Sequence, residues 1–475
     1  MSLQDNTNIN VKDLSFINKI KSMAVIGTSV KRNFFFLRNH HVTFKGPLYA
    51  INPTVKQIPD FPQENIFASI KDVPGEVDFA FITVPKNRVL NVIDDCVEKG
   101  VKLVSIFTAE FSDAGTQEGI EMEKELLRRA NNKIRMLGPN GMGLFYPKAG
   151  IQWRDKFPTE AGNIGFVAQS GGICNIAIYT AKEFGFHFSK VFSFGNGADI
   201  DAIDLISFLG EDPETDIILC YLEGVKKDRG DLLRKTLTNA TKPIAVLKGG
   251  RSNKGAIAAK THTASISGNN KIWESVFKQA NVMEVSSLEQ LLNLANIIDC
   301  YGIKKMENAA VFSISGGYGV VLVDLLQKFG INIPDFSPDI QKKLKEKFFI
   351  RGTSSKNPLD LAAQLFQEDS MQKIIEIAIT DKKMDFLIMD LPSFYFDPKY
   401  FFSPINKFKE MMIETLCLGQ KYGKPLIPIL QRTHTSEVRR EIARILSKKK
   451  VPIFGDPLEV VPLLPIISRY ARKRG

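Results

Sequence analysis

Short apolar runs alternate with stretches of helical periodicity along most of this chain, and that alternation limits its fold more than any other feature. The predicted strands of the first part lie in MAVIGTS, GPLYAINP, VDFAFITVP, VKLVSIFTA and RMLG, and helical spacing follows in KNRVLNVIDDCVEKG and GIEMEKELLRRAN. Strands separated by amphipathic helices form βαβ units around a parallel sheet. The pattern therefore predicts an α/β protein.

The same alternation restarts twice, which indicates several domains in the 475 residues. A second block opens at GNIGFVAQSGG, with helices expected near Gly172, Asp201 and Asp231, and a third opens at NAAVFSISGGYG. Both blocks begin with a strand, a serine, two glycines and a helix, which favours a duplicated doubly wound domain. Residues 147–162 contain prolines and are a predicted linker. We expect domains at residues 1–148, 155–302 and 306–475.

Composition excludes several classes of protein. The chain is 44% hydrophobic and 24% charged, as in ordinary globular proteins. No apolar run approaches the roughly 20 residues that cross a bilayer, and the polar N-terminus lacks the apolar region of a secretory signal. The 5 cysteines are scattered without a CxxC pair, which favours a reducing compartment and gives no metal site. We expect a cytoplasmic protein that does not bind a membrane.

The net charge of +11 indicates an anionic ligand. Basic residues are spread along the chain, and neither an RNP-like aromatic motif nor a helix-turn-helix pattern accompanies them. We therefore expect no nucleic-acid binding. A polyphosphate cofactor fits this distribution better.

Two glycine-containing turns follow predicted strands, and each precedes a predicted helix. Gly27, Thr28 and Ser29 end the first strand, where backbone N–H groups and the helix dipole favour a phosphate. The full dinucleotide fingerprint GxGxxG is incomplete after Gly27, which argues against an NAD site. A tight turn without a ligand remains an alternative.

The second turn is Gln169-Ser170-Gly171-Gly172, between a strand and a long helix. The glycines let an anion approach the backbone N–H groups, and Ser170 adds a hydroxyl. The rival interpretation is a nucleophilic serine, but AQSGG lacks the glycine two residues before the serine that a nucleophile elbow contains. A phosphate site is the better prediction.

His262 is one of 5 histidines, and it follows a run of small and basic residues in GRSNKGAIAAKTHTASISG. Neutral imidazole is a good nucleophile near pH 7, so a histidine on a mobile basic loop could carry a phosphoryl group. Glu223, at the end of a strand in the same block, could accept the other ring N–H and fix the tautomer. A structural histidine and a helix-start carboxylate are the alternative interpretations.

In combination these motifs carry a family resemblance. The order VIG, INP, ITVP, GPNG, QSGG, SFGNGADID, EDPETDIILCYLEG, THT, ISGGYGV and NPLDL resembles the α subunit of the NDP-forming acyl-CoA synthetases, which include the ADP-forming acetyl-CoA synthetases and are relatives of succinyl-CoA synthetase. The resemblance implies a Rossmann-like CoA-binding domain followed by two flavodoxin-like domains. It also implies interconversion of acyl-CoA, phosphate and NDP with acid, CoA and NTP.

The resemblance assigns roles to individual residues. His262 would be the phosphorylated histidine, Glu223 its orienting partner, and Ser170, Gly171 and Gly172 the phosphate-binding helix start. The residues expected to bind CoA or the acyl group are Gly27, Thr28, Ser29, Lys56, Thr83, Val84, Pro85 and Asn140. Mg²⁺ and ADP or ATP would bind to an ATP-grasp β subunit, because nothing in this chain resembles that domain. We expect an α2β2 hetero-oligomer.

The sequence departs from the family pattern in places that concern the acyl and CoA sites. KRNFFFLRN lacks an expected glycine, Gly141 stands where cysteine is frequent, Ala264 where glycine is usual and Tyr318 where proline is usual. Phe145, Tyr146 and Trp153 indicate either an aromatic acyl pocket or ordinary core. The alternative function is a CoA-binding or acyl-CoA-binding scaffold or sensor without chemistry.

Overall fold

A computed structural model describes residues 11–262, 270–347, 351–362, 370–397, 405–433 and 436–473, with the backbone alone for 258–262, 405–408 and 436. The chain divides into two compact units. The first comprises Met1–Thr180 and His187–Ser286, and the second comprises Ala181–Phe186 and Ser287–Gly475.

The first unit contains two sheets, and the first of them is parallel throughout the described residues. Its six strands lie in the order β3-β2-β1-β4-β5-β6, which is the strand order of a Rossmann fold. The Rossmann-like prediction is confirmed. The elements are β1 (Met23–Ile26), α1 (Phe35–His41), β2 (Leu48–Ile51), β3 (Ile66–Phe67), β4 (Phe79–Ile82), α2 (Lys86–Lys99), β5 (Leu103–Ile106), α3 (Gln117–Ala130) and β6 (Arg135–Leu137).

The second sheet has the flavodoxin-like order. Its described strands lie in the order β12-β11-β10-β8-β9-β7, with β7 antiparallel at the edge. Three of its helices begin next to the predicted positions Gly172, Asp201 and Asp231. The carboxylate of Asp201 caps the helix that begins at Ala202. The elements are β7 (Gly143–Phe145), β8 (Ile164–Ala168), α4 (Gly171–Phe184), β9 (Phe188–Ser193), α5 (Ala202–Glu211), β10 (Ile217–Leu222), α6 (Gly230–Asn239), β11 (Ile244–Lys248), α7 (Asn253–His262), α8 (Asn270–Gln279) and β12 (Met283–Val285).

The second unit is built on a third parallel sheet, whose described strands lie in the order β14-β13-β15-β16. A parallel bridge between Ile429 and Phe454 adds a fifth strand position next to β16. The order of the parallel strands in this sheet is then the same as in the second sheet. The elements are α9 (Leu288–Tyr301), β13 (Ala309–Ser313), α10 (Gly316–Lys328), α11 (Pro338–Lys345), β14 (Leu359–Asp360), α12 (Ser370–Ile379), β15 (Phe386–Asp390), α13 (Ile405–Leu416), α14 (Leu418–Tyr422), β16 (Leu426–Ile429), α15 (Ser436–Lys448) and α16 (Leu464–Arg472).

Each sheet is buried between helices, which explains the continuous apolar strands in the sequence. Every residue of β1, β4, β5, β8, β11, β13 and β15 is buried. Parallel strands covered on both faces lack the polar alternation of half-exposed strands.

The stretch 147–162 is not a linker, so that prediction is wrong. Trp153 is fully buried, and its ring packs edge-on against Phe145 and Phe157 with centroids 6.2 and 5.5 Å away. Large aromatic side chains stabilise a core through the area that they bury. This packing decides between the two interpretations of Phe145, Tyr146 and Trp153: all three are core residues.

Backbone hydrogen bonds join the two sheets of the first unit. The N–H groups of Asn196, Ala198 and Ile200 donate to the carbonyls of Pro139, Gly138 and Met136 at 3.0, 3.0 and 3.2 Å. In return, the Met136 N–H donates to the Asp199 carboxylate at 2.9 Å. The segment after β9 therefore pairs with the end of β6 and the loop beyond it.

Within the described residues, no helix combines the length and the apolar character needed to cross a membrane.

Candidate functional site

A cleft of about 1520 Å³ lies in the first unit, at the carboxyl ends of the strands. It is lined by the loop after β1, the loop after β4 and the start of α4. In a Rossmann order the chain reverses direction across the sheet between β1 and β4, and ligands bind at that point. The fold therefore opens this cleft at its expected ligand site.

The loop after β1 approaches the loop after β4 closely because residue 27 is glycine. Gly27 has φ +94°, and a Cβ there would lie 2.8 Å from the Val84 nitrogen. The Thr83 hydroxyl donates to the carbonyls of Ile26 and Gly27 at 3.1 and 3.2 Å. Hydrogen bonds and the missing side chain thus hold both loops at the cleft wall.

The outer part of the cleft carries basic side chains that the sequence analysis did not select. Arg32, Lys86 and Arg88 line it. Lys86 pairs with Glu118 at 3.1 Å, whereas the exposed guanidinium groups of Arg32 and Arg88 have no ion pair among the described residues. Unpaired arginines suit a phosphorylated ligand, because a guanidinium binds phosphate through two parallel hydrogen bonds.

Asn140 holds the loop after β6 in a left-handed turn, with φ 59°. Its N–H donates to the Thr108 carbonyl at 3.0 Å. Asparagine tolerates this conformation better than most residues. Gly195 packs directly on the carbonyls of Pro139 and Asn140, where a Cβ would overlap them. The turn is therefore fixed from both sides at the cleft.

The start of α4 forms the other wall. Ser170, Gly171 and Gly172 line the cleft, and the Ser170 hydroxyl accepts the Ile173 N–H at 3.4 Å. Apart from its chain neighbours and the backbone of its own helix, the nearest atom to a Cβ placed on Gly172 is the Ser170 hydroxyl oxygen at 3.7 Å, so this position is uncrowded. A helix start with open N–H groups binds phosphate favourably.

Glu223 follows β10, next to the start of α4. Ala168 at the end of β8 is in register with Tyr221 on β10, and the Gln169 amide oxygen accepts the N–H groups of Glu223 and Gly224 at 2.7 and 3.3 Å. The Tyr221 hydroxyl donates to the Glu223 carboxylate at 3.1 Å. Burial, with the charge of Glu223, raises the pKa of Tyr221, which keeps the phenol a proton donor.

Lys248 anchors the Glu223 backbone from the other side. Its ammonium donates to the Glu223 carbonyl at 2.7 Å and also to the Gly249 carbonyl, and it lies 5.0 Å from the centre of the Trp273 ring. Burial lowers the pKa of Lys248 to about 8. The described hydrogen bonds of Lys248 are both to backbone oxygens.

The segment before His262 is not a loop, so that expectation is wrong for residues 253–262. They form α7, which lies against the short turn Ser112–Ala114 of the first domain. Alanines and lysines favour helix, and tertiary packing outweighs the asparagine and the glycine at its start. The side chain of His262 and residues 263–269 lie outside the described residues. The role of His262 therefore stays a prediction.

Three further cleft residues lie beside or within quoted sequence motifs but were missed, because no local pattern shows that their side chains face the cleft. Asn175 lies one turn after Gly171 on α4, and its Oδ1 accepts the Trp153 indole N–H at 2.7 Å. Since an indole only donates, this bond fixes the amide with its NH₂ group pointing away from Trp153. Met142 and Phe107 also line the cleft. Only the structure brings these side chains together.

Most of the predicted binding residues line this cleft, and one does not. The lining includes Gly27, Thr28, Ser29, Thr83, Val84, Pro85, Asn140, Ser170, Gly171 and Gly172. Lys56 is exposed and lies outside the lining. Glu223 is buried beside it and reaches it through the Gln169 contact. In the described part of the chain, no group of three or more acidic, histidine or cysteine side chains could hold a metal ion.

Two domain families match this chain. Residues 21–147 match a CoA binding domain, and residues 161–298 match the succinyl-CoA ligase like flavodoxin domain. These ranges contain both walls of the cleft. The fold and the cleft thus define a protein of the succinyl-CoA synthetase superfamily.

Individual similar proteins identify the family within this superfamily. The ADP-forming acetate–CoA ligase II α subunit of Pyrococcus furiosus is 29% identical and covers 97% of this chain and 99% of its own. The ADP-forming acetate–CoA ligase I of Archaeoglobus fulgidus is 30% identical over 94% of this chain, which spans 61% of that protein's length. The dinucleotide forming acetyl-coenzyme A synthetase 1 of Ca. Korarchaeum cryptofilum, solved with phosphate and ADP, superposes with a TM-score of 0.83 at 29% identity, covering 97% of each chain. The chain belongs to the ADP-forming acetyl-CoA synthetase family and corresponds to its α subunits.

Proposed function

We propose that this chain is the catalytic α subunit of an NDP-forming acyl-CoA synthetase. It interconverts acyl-CoA, phosphate and ADP or GDP with acid, CoA and ATP or GTP. The observation that carries the proposal is the single cleft that joins the Rossmann switch point to the start of α4, with Glu223 beside it. A thioester in the Rossmann wall would meet a phosphate at the helix start.

In the first step a phosphate oxygen attacks the thioester carbon. The carbon–sulfur bond breaks, CoA leaves as a thiol after taking a proton, and an acyl phosphate remains. The helix start at Gly171 and Gly172 suits the phosphate, and the Asn175 NH₂ group suits the oxyanion that forms at the carbonyl. Donors that are held in place before the reaction stabilise such charge strongly.

In the second step an imidazole nitrogen of His262 attacks phosphorus. The bond between phosphorus and the carboxylate oxygen breaks, and the free acid leaves. Glu223 would accept the other ring N–H, so the imidazole presents its nucleophilic nitrogen and the positive charge that develops is stabilised. The Gln169, Tyr221 and Lys248 contacts hold Glu223 for that role.

The last step, phosphoryl transfer to a nucleoside diphosphate, requires a second polypeptide in this proposal. The names of the relatives include α subunits, which supports a partner subunit. This partner would have an ATP-grasp fold and would bind the Mg²⁺ that neutralises the nucleotide phosphates. Two copies of each chain would form an α2β2 complex. CoA and phosphate would bind to this chain.

The test is the intact mass of the chain after incubation with phosphate and a panel of acyl-CoAs, with and without the nucleotide-binding partner. We expect the gain of one acid-labile phosphoryl group, and its loss in His262→Ala. The matched control is His41→Ala, because His41 is exposed and outside the cleft. It should gain the group normally.

Two results would contradict the proposal. Equal phosphorylation of His262→Ala would exclude His262 as the carrier. No phosphorylation with any thioester, even with the partner and with ATP and Mg²⁺ in the reverse direction, would leave a CoA-binding scaffold or sensor as the function.

A further inference from the structure

The apolar part of the cleft has an aromatic wall. Phe34, Phe36 and Phe107 line it, and the ring of Phe36 lies 4.9 Å from that of Phe107 and 5.0 Å from that of Phe81. Phe35, at the same edge, is 40% exposed and lies 5.2 Å from Phe36. Aromatic rings at these separations offer faces and edges to another ring.

Phe34 and Phe36 of this wall belong to the segment KRNFFFLRN, which lacks the glycine expected from the family pattern. Asn33 and Phe34 adopt φ values of 47° and 53°, in the region that glycine occupies without cost. A phenylalanine there is strained by about 1 kcal/mol or more. Strain of this kind is retained where the side chain is needed, and Phe34 lines the cleft with 6% of its surface exposed.

Two series of contacts connect the aromatic wall to the start of α4. In the first, Phe36 contacts Phe81, which lies near Gly143 together with the Ser105 hydroxyl. The neighbouring Met142 lines the cleft, and its side chain overlaps the position of a Cβ on Gly171. Met142 therefore brings an apolar side chain to the predicted phosphate-binding turn.

The second series runs along the opposite side. Asn39, one turn after Phe36 on α1, donates to the Trp153 carbonyl at 2.8 Å, and the Trp153 indole donates to Asn175 at 2.7 Å. Asn175 is itself one turn from Gly171. These contacts connect the aromatic wall to the start of α4, and the part of the cleft between them forms a compartment.

The floor of this compartment includes backbone. Gly141 lines the cleft without a side chain, and a Cβ there would lie 2.6 Å from the Ser193 carbonyl oxygen, so the glycine allows two backbone segments to pack closely. A two-carbon acyl group would leave the aromatic wall uncovered.

We propose that this compartment, bounded by Phe34, Phe36, Phe107, Met142 and Asn175, binds an aromatic acyl group, so that the substrate is an aryl-substituted acid rather than acetate. The inference rests on the proposed function and names the substrate class of the same site. An aryl ring buried against the wall would bind more tightly than the methyl group of acetate, because the removal of apolar area from water contributes binding free energy.

The experiment compares phenylacetyl-CoA with acetyl-CoA, using equilibrium binding to the chain and the initial rate of phosphoryl gain with phosphate. We expect phenylacetyl-CoA to bind and react at least about tenfold better, from the apolar area of one ring. Phe107→Leu should reduce the ratio of the two thioesters several-fold. Phe44→Leu, in the same domain but outside the cleft, is the matched control and should leave the ratio unchanged.

The outcomes separate this inference from the proposed function. Phosphorylation with acetyl-CoA equal to or better than with phenylacetyl-CoA would overturn the aromatic assignment and leave the function intact. Tighter binding of phenylacetyl-CoA without phosphorylation under any condition would support the compartment and overturn the proposed chemistry. Phe36→Leu repeats the ratio measurement if Phe107→Leu does not fold.

Discussion

The same turn, strand–Ser–Gly–Gly–helix, occurs in both units, but its surroundings differ in charge. At Ser170-Gly171-Gly172 the neighbouring wall is the side chain of Met142, and the cleft beyond carries arginines. At Ser315-Gly316-Gly317 a carboxylate oxygen of Asp360 lies 2.6 Å from the position of a Cβ on Gly316. The helix start of the second unit already has its own anion, whereas that of the first is open to a ligand.

A second carboxylate, at the end of β15, corresponds in position to Glu223 after β10 in the first unit, so the contrast rests on Asp360. Asp390 ends β15 with no exposed surface, and it accepts hydrogen bonds from Gln431 and, at 3.4 Å, from Ser313. Burial raises the pKa of Asp390 to about 6. A duplicated turn therefore does not duplicate a phosphate site, because the residues at the adjacent strand ends decide what the helix dipole attracts.

The largest expected effect separates the two acidic positions. Glu223→Gln keeps the shape and the backbone bonds but removes the charge that would orient His262, so phosphohistidine formation should slow about 10²- to 10⁴-fold. The matched variant Asp390→Asn should form phosphohistidine at the normal rate. Rapid-quench measurement of the phosphorylated mass gives the rate for each variant. Similar slowing in Glu223→Gln and Asp390→Asn would contradict a specific role for Glu223.

A somewhat smaller effect is expected at Asn175. Asn175→Asp keeps an acceptor for the Trp153 indole but replaces the NH₂ donor by a charged oxygen next to the phosphate turn. Loss of one positioned donor costs about 100-fold in rate. Thioester cleavage by phosphate, followed through the released CoA thiol, measures it. An unchanged rate would remove Asn175 from the oxyanion site.

Paired glycine variants test the two helix starts directly. Gly172→Ala and Gly317→Ala both introduce a methyl group without a close contact, so both should fold normally. Gly172→Ala should weaken phosphate binding about tenfold, since the methyl hinders hydrogen bonds from backbone N–H groups to the anion. Gly317→Ala should leave phosphate binding unchanged. Isothermal titration with inorganic phosphate measures the affinity of each variant. Equal loss of affinity in both variants would contradict the proposal that only the helix start at Gly172 binds phosphate.

The last effect does not involve the reaction and concerns stability and pH. In the folded chain Asp390 keeps its proton up to about pH 6, whereas the unfolded carboxyl releases it near 3.8. The folded state binds more protons between these values, so the free energy of unfolding falls by about 2 to 3 kcal/mol as pH rises through that window.

Asp390→Asn should remove this dependence and raise the melting temperature of the second unit at pH 7. Calorimetry of both proteins between pH 5 and 8 measures the difference, which should narrow as the pH falls. A difference that is constant with pH would show that Asp390 is not buried as a raised-pKa group.

The parts of the fold that depend on local pattern were predictable from the sequence. Gly27 and the run from Gln169 to Gly172 stand between an apolar strand and a helix, so their position at a strand's carboxyl end follows from chain order alone. The three sheets follow in the same way.

The remaining features depend on contacts between residues that are distant in sequence. The indole of Trp153 orients Asn175, 22 residues away, and the fold buries Trp153 itself rather than placing it in the pocket. The aromatic wall arises because a strained turn at Asn33 and Phe34 aims α1 at the cleft. Neither relation leaves a periodic pattern in the sequence.

The backbone pairing of residues 196–200 with residues 136–139 has a consequence for evolution as well as for catalysis. It joins the Rossmann-like sheet and the flavodoxin-like sheet by main-chain bonds, which do not depend on side-chain identity. In the proposed reaction, a thioester and a phosphate would therefore meet at a pre-organised distance. Substitution of side chains around the proposed acyl compartment leaves these main-chain bonds in place, so the same scaffold can accommodate different acids.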